Sequence, residues 1–204
     1  MSKIALIGAT GRAGSQLLAE ALRRGHQVTA IARGAAALPA APDQRTVAVD
    51  VLNTPALTAA LAGHDVVISS ARFDGLPPAA VIGATQAAGV PRLLVVGGAA
   101  SLLLPDGTRL FDSPQFPAAY QAEAAGGIAF LQALQAEPVL DWSFLSPSAL
   151  FDGSERTGRF RLGRDQLLAD ADGQSRISFP DFAIALIDEL ERPAHRRQRF
   201  TVGY

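Results

Sequence analysis

The fold of this chain is decided near its start, by the stretch IALIGATGRAG at residues 4–14. Its four leading apolar residues predict a buried strand, and the glycines that follow, Gly8, Gly11 and Gly14, predict a tight turn into a helix. Glycines at this spacing leave no Cβ between the main chain and a ligand, and the first N–H groups of the helix face that ligand. The stretch therefore predicts a turn that binds the diphosphate of a dinucleotide; the alternative is a tight turn without a ligand.

The next residues complete a strand–helix–strand unit, which is the context that such a glycine turn requires. Leu18, Ala21 and Leu22 recur at helical spacing, and Gly25 stands where the helix is expected to end. The apolar run at 28–32 then predicts the second parallel strand.

Composition bounds the class of protein. With 204 residues, 49% of them hydrophobic and 18% charged, the chain is expected to fold as one domain over residues 1–204. The net charge of −1 lacks the basic excess of a nucleic-acid-binding surface, and the absence of cysteine excludes disulfides and thiolate chemistry. The opening residues do not resemble a signal peptide, and no apolar run is long enough to span a bilayer. We expect a cytoplasmic monomer or homodimer without membrane or nucleic-acid partners.

Strand-like and helical segments continue to alternate along the chain. Further strands are predicted at 45–49, 66–70, 93–97 and 142–145. One helix is predicted with Thr54 as its cap and Pro55 as its first helical residue, and further helices are predicted over 78–88 and from Pro117. Continuous apolar strands alternating with amphipathic helices are typical of a parallel sheet that is covered on both sides. We predict an α/β fold: a Rossmann-type, doubly wound, mainly parallel sheet with helices on both faces.

The last part of the chain, residues 146–204, is predicted to form a small C-terminal extension of this fold. Residues 159–168 suggest a hairpin or an extended excursion. The run Ser178-Phe179-Pro180-Asp181 fits a capping box at the start of a helix that runs to about Leu190. Residues 199–202 suggest a final strand.

The residue at the end of the second strand indicates whether a site prefers NAD or NADP. An NAD site usually has an acidic residue there, which binds the ribose hydroxyls. This chain has Arg33 there instead. A guanidinium binds phosphate bidentately, so Arg33, joined by Arg12, is predicted to hold a 2′-phosphate. We therefore expect NADP(H) to be preferred over NAD(H). The alternatives are that Arg33 is a solvated loop residue and that Arg12 stacks on the adenine or points into water.

The ends of the later strands carry small or acidic residues. Asp50-Val51 ends the third strand, and the Asp50 carboxylate is predicted either to accept from the adenine amino group or to cap the following turn. Ser69-Ser70-Ala71 and Gly97-Gly98 end the fourth and fifth strands, where small residues let a dinucleotide pass close to the backbone. Together they predict a crevice at the switch point of the sheet.

Five segments carry a resemblance to a known family. They are KIALIGATGRAGSQLLAEALRRGHQVTAIAR (3–33), VVGGAAS (95–101), WSFLSPSALF (142–151), ERTGRFRLG (155–163) and ISFPDFAIALIDELE (177–191). The chain resembles the atypical short-chain dehydrogenase/reductase group, in particular the small NAD(P)H-binding proteins assigned as NADH-flavin reductases, which are related to biliverdin reductase B and NmrA-like proteins.

The resemblance implies sites for NADP(H). Residues implied to bind it are Gly8, Thr10, Gly11, Arg12, Ala13, Gly14 and Arg33, with Asp50 and Val51 near the adenine. Residues implied to line the rest of the groove are Ser69, Ser70, Ala71, Gly97 and Gly98, with Pro147 bordering the nicotinamide.

The usual catalytic pair of the wider superfamily, Tyr-x-x-x-Lys, is missing. Tyr120 is followed four residues later by Ala124, and the only lysine is Lys3 in the first strand. Flavins and quinones accept a hydride at a delocalised ring and take protons from water, so their reduction needs positioning more than a proton donor. We therefore predict an NAD(P)H-dependent oxidoreductase that reduces a flavin, a quinone or a similar planar acceptor, with FMN or FAD as substrate, on the side of the 146–204 extension.

Two residues are candidates for orienting the carbonyl of this small-molecule electron acceptor: Ser101 and Tyr120. Their alternative roles are a turn hydroxyl and helix packing. The loop at 105–116, with two phenylalanines, is either an acceptor-binding lid or a plain surface loop. The histidines lack ligand spacing, so no metal site is expected.

Two other functions stay open. A protein without the catalytic pair can bind NADP(H) as a redox sensor that regulates a partner without turnover. An epimerase or dehydratase acting on nucleotide sugars is a weaker alternative, because the lysine is absent and the C-terminal part is short.

Overall fold

An eight-stranded sheet crosses the centre of the protein in the computed structural model, which describes residues 1–204. The strands are β1 (Lys3–Ile7), β2 (Gln27–Ile31), β3 (Gln44–Val47), β4 (Val66–Ser69), β5 (Arg92–Val96), β6 (Asp141–Ser146), β7 (Leu150–Phe151), β8 (Arg161–Gly163), β9 (Arg176–Ile177) and β10 (Gln198–Gly203). The helices are α1 (Arg12–Arg23), α2 (Thr54–Leu61), α3 (Pro78–Ala87), α4 (Gln121–Ala136) and α5 (Phe179–Glu191). Strands β7 and β9 form a separate two-stranded ribbon.

The strand order of the large sheet is β3-β2-β1-β4-β5-β6-β10-β8. All neighbours pair in parallel except β8, which runs antiparallel to β10. From β1 the chain builds the sheet outward first in one direction and then in the other, so the order reverses between β1 and β4. A crevice opens at the carboxyl ends of the strands at such a reversal. The predicted Rossmann-type, doubly wound sheet is confirmed.

Both faces of the sheet are buried, which explains why its strands are continuously apolar. Successive side chains of a strand point to opposite faces. In β1, Ile4 and Leu6 pack in the cluster that contains α1 and α5, whereas Ala5 and Ile7 pack in the cluster that contains α2, α3 and α4. The two clusters hold 22 and 21 buried residues, so neither face is left to solvent.

Helix α2 begins at Thr54, one residue earlier than predicted. Asn53, not Thr54, is the cap: its side-chain oxygen accepts from the N–H of Ala56 at 3.2 Å, and Thr54 is already helical. The prediction was wrong because Asn and Thr are both good caps, and only the backbone path shows which side chain reaches the free amide.

Two further predicted boundaries change in the structure. The helix predicted from Pro117 starts with a 3₁₀ turn at Ala118–Tyr120, and α4 itself begins at Gln121. Residues 159–168 do not form a hairpin; β8 pairs with the distant β10 and closes the edge of the sheet. None of the five helices is long and apolar enough to cross a lipid bilayer.

Candidate functional site

A groove of about 610 Å³ lies at the reversal point of the sheet. It is formed by the four segments that leave the carboxyl ends of β1, β2, β3 and β4. The lining residues are Ile7, Gly8, Thr10 and Gly11; Ile31, Ala32, Arg33 and Gly34; Val49, Asp50, Val51 and Leu52; and Ser70, Ala71, Arg72, Asp74, Gly75 and Leu76.

The glycine turn at one end of this groove depends on missing side chains. Gly8 has a φ of +78°, and a Cβ there would lie 2.5 Å from the carbonyl oxygen of Ser70. A Cβ on Gly14 would lie 2.1 Å from the carbonyl oxygen of Gly8. The turn therefore packs tightly against the end of β4, and α1 starts directly on top of the turn.

The start of α1 leaves main-chain donors free. The Ser15 N–H bonds back to the Gly11 carbonyl at 2.8 Å, while the N–H groups of Arg12, Ala13 and Gly14 have no backbone partner. Unpaired amides at a helix N-terminus, together with the helix dipole, favour a bound anion. This geometry suits the diphosphate that the sequence predicts here. Thr10 and Gly11 line the groove, and the three free N–H groups follow directly after them, outside the lining.

The two arginines predicted to share a phosphate are separated. Arg33 lines the groove, is exposed, and makes no hydrogen bond or ion pair. Arg12 does not line it; its guanidinium lies over the ring of Phe179, 5.2 Å from the ring centroid. Arg12 is in the first turn of α1, on the side that meets the start of α5, so its side chain turns towards that helix. The prediction required both arginines in the groove, and only Arg33 lies there.

Asp50 has the capping role, which is one of the two alternatives that the sequence left open. Its Oδ1 accepts from the Leu52 N–H at 3.0 Å and so caps the turn after β3. The same side chain lines the groove beside Val51, and its second carboxylate oxygen makes no hydrogen bond. That oxygen stays available to a ligand donor such as an adenine amino group.

The residues at the end of β4 divide between groove and core. Ser70 and Ala71 line the groove as predicted. Ser69 does not, because it is the last residue of β4 and is 2% exposed. The side chains of a strand alternate between its faces, so three consecutive residues cannot all point into one cleft.

Gly97, Gly98 and Pro147 also lie outside the lining of this groove. A Cβ on Gly97 would lie 2.2 Å from the Phe144 ring, so its small size serves packing of the core. A Cβ on Gly98 would meet nothing within 4 Å. Pro147 is buried directly after β6. The structure therefore explains Gly97 by a neighbouring aromatic ring rather than by a ligand.

The groove also contains residues that the sequence pattern did not predict. The run of small residues ends at Ala71, yet the loop that follows contributes Arg72, Asp74 and Leu76. A usable signal was present, since the loop combines charged residues with glycine and proline directly after a parallel strand, a position where ligands bind.

Ser101 and Tyr120, the predicted acceptor-orienting residues, lie beyond the groove. Ser101 is in a 3₁₀ turn after β5, and its Oγ accepts from Nη1 of Arg199 at 3.2 Å. Arg199 is also paired with Asp165, with 2.8 Å between its Nε and the carboxylate. Tyr120 is 64% exposed and its hydroxyl has no hydrogen bond. The Ser101 hydroxyl thus interacts with an arginine rather than its own turn, and Tyr120 does not serve helix packing.

The loop at 105–116 is fastened by Leu103, the residue two positions before it begins. Leu103 pairs with Arg109 and with Gln166, which joins the loop to the segment that contains β8. The rings of Phe111 and Phe116 lie 5.3 Å apart. The loop is thus an ordered surface next to the turn that contains Ser101.

The histidines serve the packing of the fold. His26 lies between the Ser2 amide and Glu191, and His64 lies between the Leu61 carbonyl and Thr29. His195 contacts Glu189. No three metal-ligating side chains come together.

Glu20 of α1 and Asp181 of α5 are buried carboxylates that lie outside the lining of the groove. Hydrogen bonds from Arg23, opposed by burial and helped by Arg156 and Arg24, lower the pKa of Glu20 from 4.5 to about 2. Burial would raise the pKa of Asp181, but hydrogen bonds from Thr157, Gly158 and Tyr204 bring it below its usual value. Both groups are ionised at neutral pH and connect elements rather than bind a ligand.

The chain is similar to known proteins over almost its whole length. The chain is 40% identical over 213 residues to YwnB, an uncharacterized protein of Bacillus subtilis, with 98% of this chain and 97% of YwnB covered. A candidate epimerase from Bacteroides thetaiotaomicron is 40% identical with a TM-score of 0.94, covering 99% of this chain and 96% of that one. A candidate NADH-flavin reductase from Streptococcus pneumoniae is 34% identical with a TM-score of 0.86, covering 100% and 99%.

The same fold recurs in a short-chain dehydrogenase/reductase from Veillonella parvula solved in complex with NADP, at 19% identity, a TM-score of 0.83 and coverage of 100% and 95%. The model of the NAD(P)H-binding family matches residues 8–193, from the glycine turn to the end of α5. The family resemblance predicted from the sequence is confirmed. The protein has an NAD(P)-binding, oxidoreductase-like role. The chain belongs to the NAD(P)H-binding family.

Proposed function

We propose that the protein is a reductase that binds NADP(H) in the groove and transfers a hydride to a planar acceptor, a flavin or a quinone. The observation that carries this proposal is that two features lie at the same end of the sheet: one directly follows the groove-lining residues Thr10 and Gly11, and the other lies in the groove itself. The free N–H groups at the start of α1 provide a diphosphate site, and the unpaired guanidinium of Arg33 stands at the end of β2. NADP(H) has both a diphosphate and a further phosphate, so it matches both features.

Different residues of the site are proposed to contact different parts of the cofactor. The turn at 8–14 would hold the diphosphate, Arg33 the 2′-phosphate, and the free oxygen of Asp50 the adenine amino group. Ser70 and Ala71 would let the chain of the cofactor pass close to the end of β4. When bound, the reduced nicotinamide supplies the hydride, and the protein positions the acceptor against it.

The acceptor is proposed from the polar groups present on that side. Ser101 accepts a hydrogen bond from Arg199, so its own hydroxyl proton is free to donate to an acceptor carbonyl. The exposed Tyr120 hydroxyl and the loop at 105–116 would complete the acceptor side, which the 146–204 extension borders.

The names of the relatives point to two reaction classes. The Streptococcus protein is named a candidate NADH-flavin reductase and the Bacteroides protein a candidate epimerase. We favour reduction, because this chain lacks the Tyr-x-x-x-Lys pair and because flavins and quinones need no such acid. We also propose a cytoplasmic protein, a monomer or homodimer, without nucleic-acid or membrane partners.

The proposal is tested by mixing the purified protein with NADPH and, in turn, FMN, FAD and a soluble quinone. Loss of NADPH absorbance that depends on both protein and acceptor is the expected result, and heat-denatured protein is the control. Tight NADPH binding without turnover on any acceptor would instead establish a redox sensor. Turnover of a nucleotide sugar without net NADPH oxidation would establish an epimerase.

A further inference from the structure

A glutamate in the first turn of α4 holds one wall of the groove, although it does not line the groove itself. Oε1 of Glu123 accepts from the Phe73 N–H at 3.0 Å, and Oε2 accepts from the Asp74 N–H at 3.0 Å. Oε2 also lies 3.4 Å from Nε of Arg72. One carboxylate therefore binds three consecutive residues of the loop after β4.

The loop after β4 packs so closely against α4 that two helix positions have no room for a side chain. A Cβ on Gly126 would lie 2.6 Å from the Phe73 carbonyl oxygen, and one on Gly127 would lie 3.1 Å from the Phe73 ring. That ring packs against Phe130, with 5.3 Å between the ring centroids. Phe73 thus anchors the loop in the core, while its neighbours Arg72 and Asp74 line the groove.

We propose that Glu123 is a positioning residue that sets the affinity for the cofactor by fixing Arg72 and Asp74 at the groove. This inference rests on the proposed function, that NADP(H) occupies the groove. The side chain of Arg72 is 79% exposed, so Glu123 is the partner that restricts where its guanidinium lies. When a long cationic side chain is already restricted in the free protein, less conformational entropy is lost on binding an anionic ligand, and the affinity is higher.

The chain offers a matched control at the other end of the same helix. The Glu137 carboxylate also accepts two backbone N–H groups, from Val139 at 2.9 Å and Leu140 at 3.2 Å. It contacts no part of the groove. Both bonds to Glu137 end on its Oε1, an oxygen that glutamine keeps, so Glu137→Gln controls for the loss of a negative charge on the helix. Glu123→Gln removes a charge and also breaks one of two bonds at the groove wall.

The test is the NADPH Kd of both variants, measured by fluorescence titration, with Tm recorded alongside. In Glu123→Gln one amide N–H faces an NH₂ group, and we expect the Kd to rise about 10-fold. For Glu137→Gln we expect a Kd within twofold of wild type. Hydrogen exchange gives a second readout: the Phe73 and Asp74 amides should exchange faster in Glu123→Gln, and NADPH should slow them in the wild type.

A surface variant keeps the test informative if Glu123→Gln folds poorly. Arg72→Ala alters an exposed side chain, and we expect it to raise the Kd for NADPH several-fold with an unchanged Tm. A folded Glu123→Gln, or Arg72→Ala, that binds NADPH within twofold of wild type overturns this inference alone. A wild-type protein that does not bind NADPH overturns the proposed function as well, so the two failures are distinguishable.

Discussion

At the scale of single residues, the glycine turn between β1 and α1 depends on where a Cβ is absent. Gly8 needs its left-handed backbone conformation and its closeness to Ser70, whereas Gly14 needs only the closeness to Gly8. These are two separate steric requirements within one motif. Other glycines of the chain, such as Gly83 in α3, have open space around the missing side chain.

Substituting Gly14 should therefore disturb the turn and the fold together. A Cβ 2.1 Å from the Gly8 carbonyl forces the backbone to move, and we expect Gly14→Ala to lower the free energy of unfolding by about 2–3 kcal/mol. Gly83→Ala is the control, since alanine in an open helical position is neutral or stabilises by up to about 1 kcal/mol. Urea denaturation measures both. A Gly14→Ala protein as stable as wild type would contradict this steric requirement.

Arg33 is the second prediction at this scale. It is exposed and makes no hydrogen bond or ion pair in the protein, so Arg33→Ala breaks neither. A charge-assisted hydrogen bond contributes about 1.5–3 kcal/mol, and we expect NADPH binding to weaken at least about 10-fold with NADH binding little changed. Calorimetric titration with both cofactors checks this, and Arg45→Ala, an exposed arginine of β3 outside the groove, is the control. Equal losses for both cofactors would show that Arg33 does not contact the 2′-phosphate.

At the scale of elements, the start of α5 shows how a local signal and a distant contact combine. The predicted capping box is half confirmed: the Ser178 hydroxyl accepts from the Asp181 N–H at 3.2 Å. The Asp181 carboxylate does not return to Ser178. It accepts instead from the N–H groups of Thr157 and Gly158 and from the Tyr204 hydroxyl. A residue expected to cap its own helix thus binds a segment 23 or 24 residues away.

Asp181 should consequently matter more for stability than an ordinary cap. Asp181→Asn keeps the shape but loses the charge among several buried donors, and we expect a loss of roughly 3 kcal/mol. Ser178→Ala removes the cap and the hydrogen bond from the Ser178 hydroxyl to the Glu155 carbonyl, and it should cost about 1–2 kcal/mol. Chemical denaturation measures the difference, and hydrogen exchange should show Thr157 and Gly158 losing protection in Asp181→Asn only. Equal losses in the two variants would mean that the carboxylate acts as a simple cap.

At the scale of the whole molecule, charge pairs connect α1, α5 and the segment between β7 and β8. Arg24 of α1 pairs with Asp188 and Glu191 of α5, each at 2.7 Å. Glu20 receives Arg23 and Arg24 from its own helix and Arg156 from the segment after β7. The network is partly buried, so it is screened by salt less than a surface pair.

This network predicts how stability depends on pH. The folded-state pKa of Glu20, about 2, lies below its ordinary value of 4.5, so its ionised form stabilises the fold above pH 4.5. That contribution is lost as the pH falls from 4.5 towards 2. Glu20→Gln lacks the charge that pairs with the arginines, and we expect its free energy of unfolding at neutral pH to be lower by roughly 3 kcal/mol. Because glutamine does not titrate, the variant should lose less stability than the wild type on acidification.

Thermal denaturation across this pH range checks the prediction. Asp172→Asn is the control, because Asp172 is exposed and its carboxylate makes no hydrogen bond. Parallel stability–pH curves for wild type and Glu20→Gln would contradict the role given to Glu20.

The sequence by itself determined the parts of this protein that rest on local rules. The glycine turn, the parallel strands, the order of strands and helices and the Ser178 cap all follow from apolar periodicity or from one residue's backbone needs. These requirements involve neighbours within a few positions along the chain. The fold class and the family resemblance could therefore be predicted from the sequence alone.

Only the tertiary structure decided which side chains meet. In the folded protein Arg12 lies over the ring of Phe179, the Phe144 ring occupies the space next to Gly97, and β8 pairs with β10. It also brought Glu123 to the loop after β4, which no spacing in the sequence indicates. The physical reason is that such contacts join residues far apart in the chain, and their partners are selected by packing and burial, which local sequence patterns do not specify.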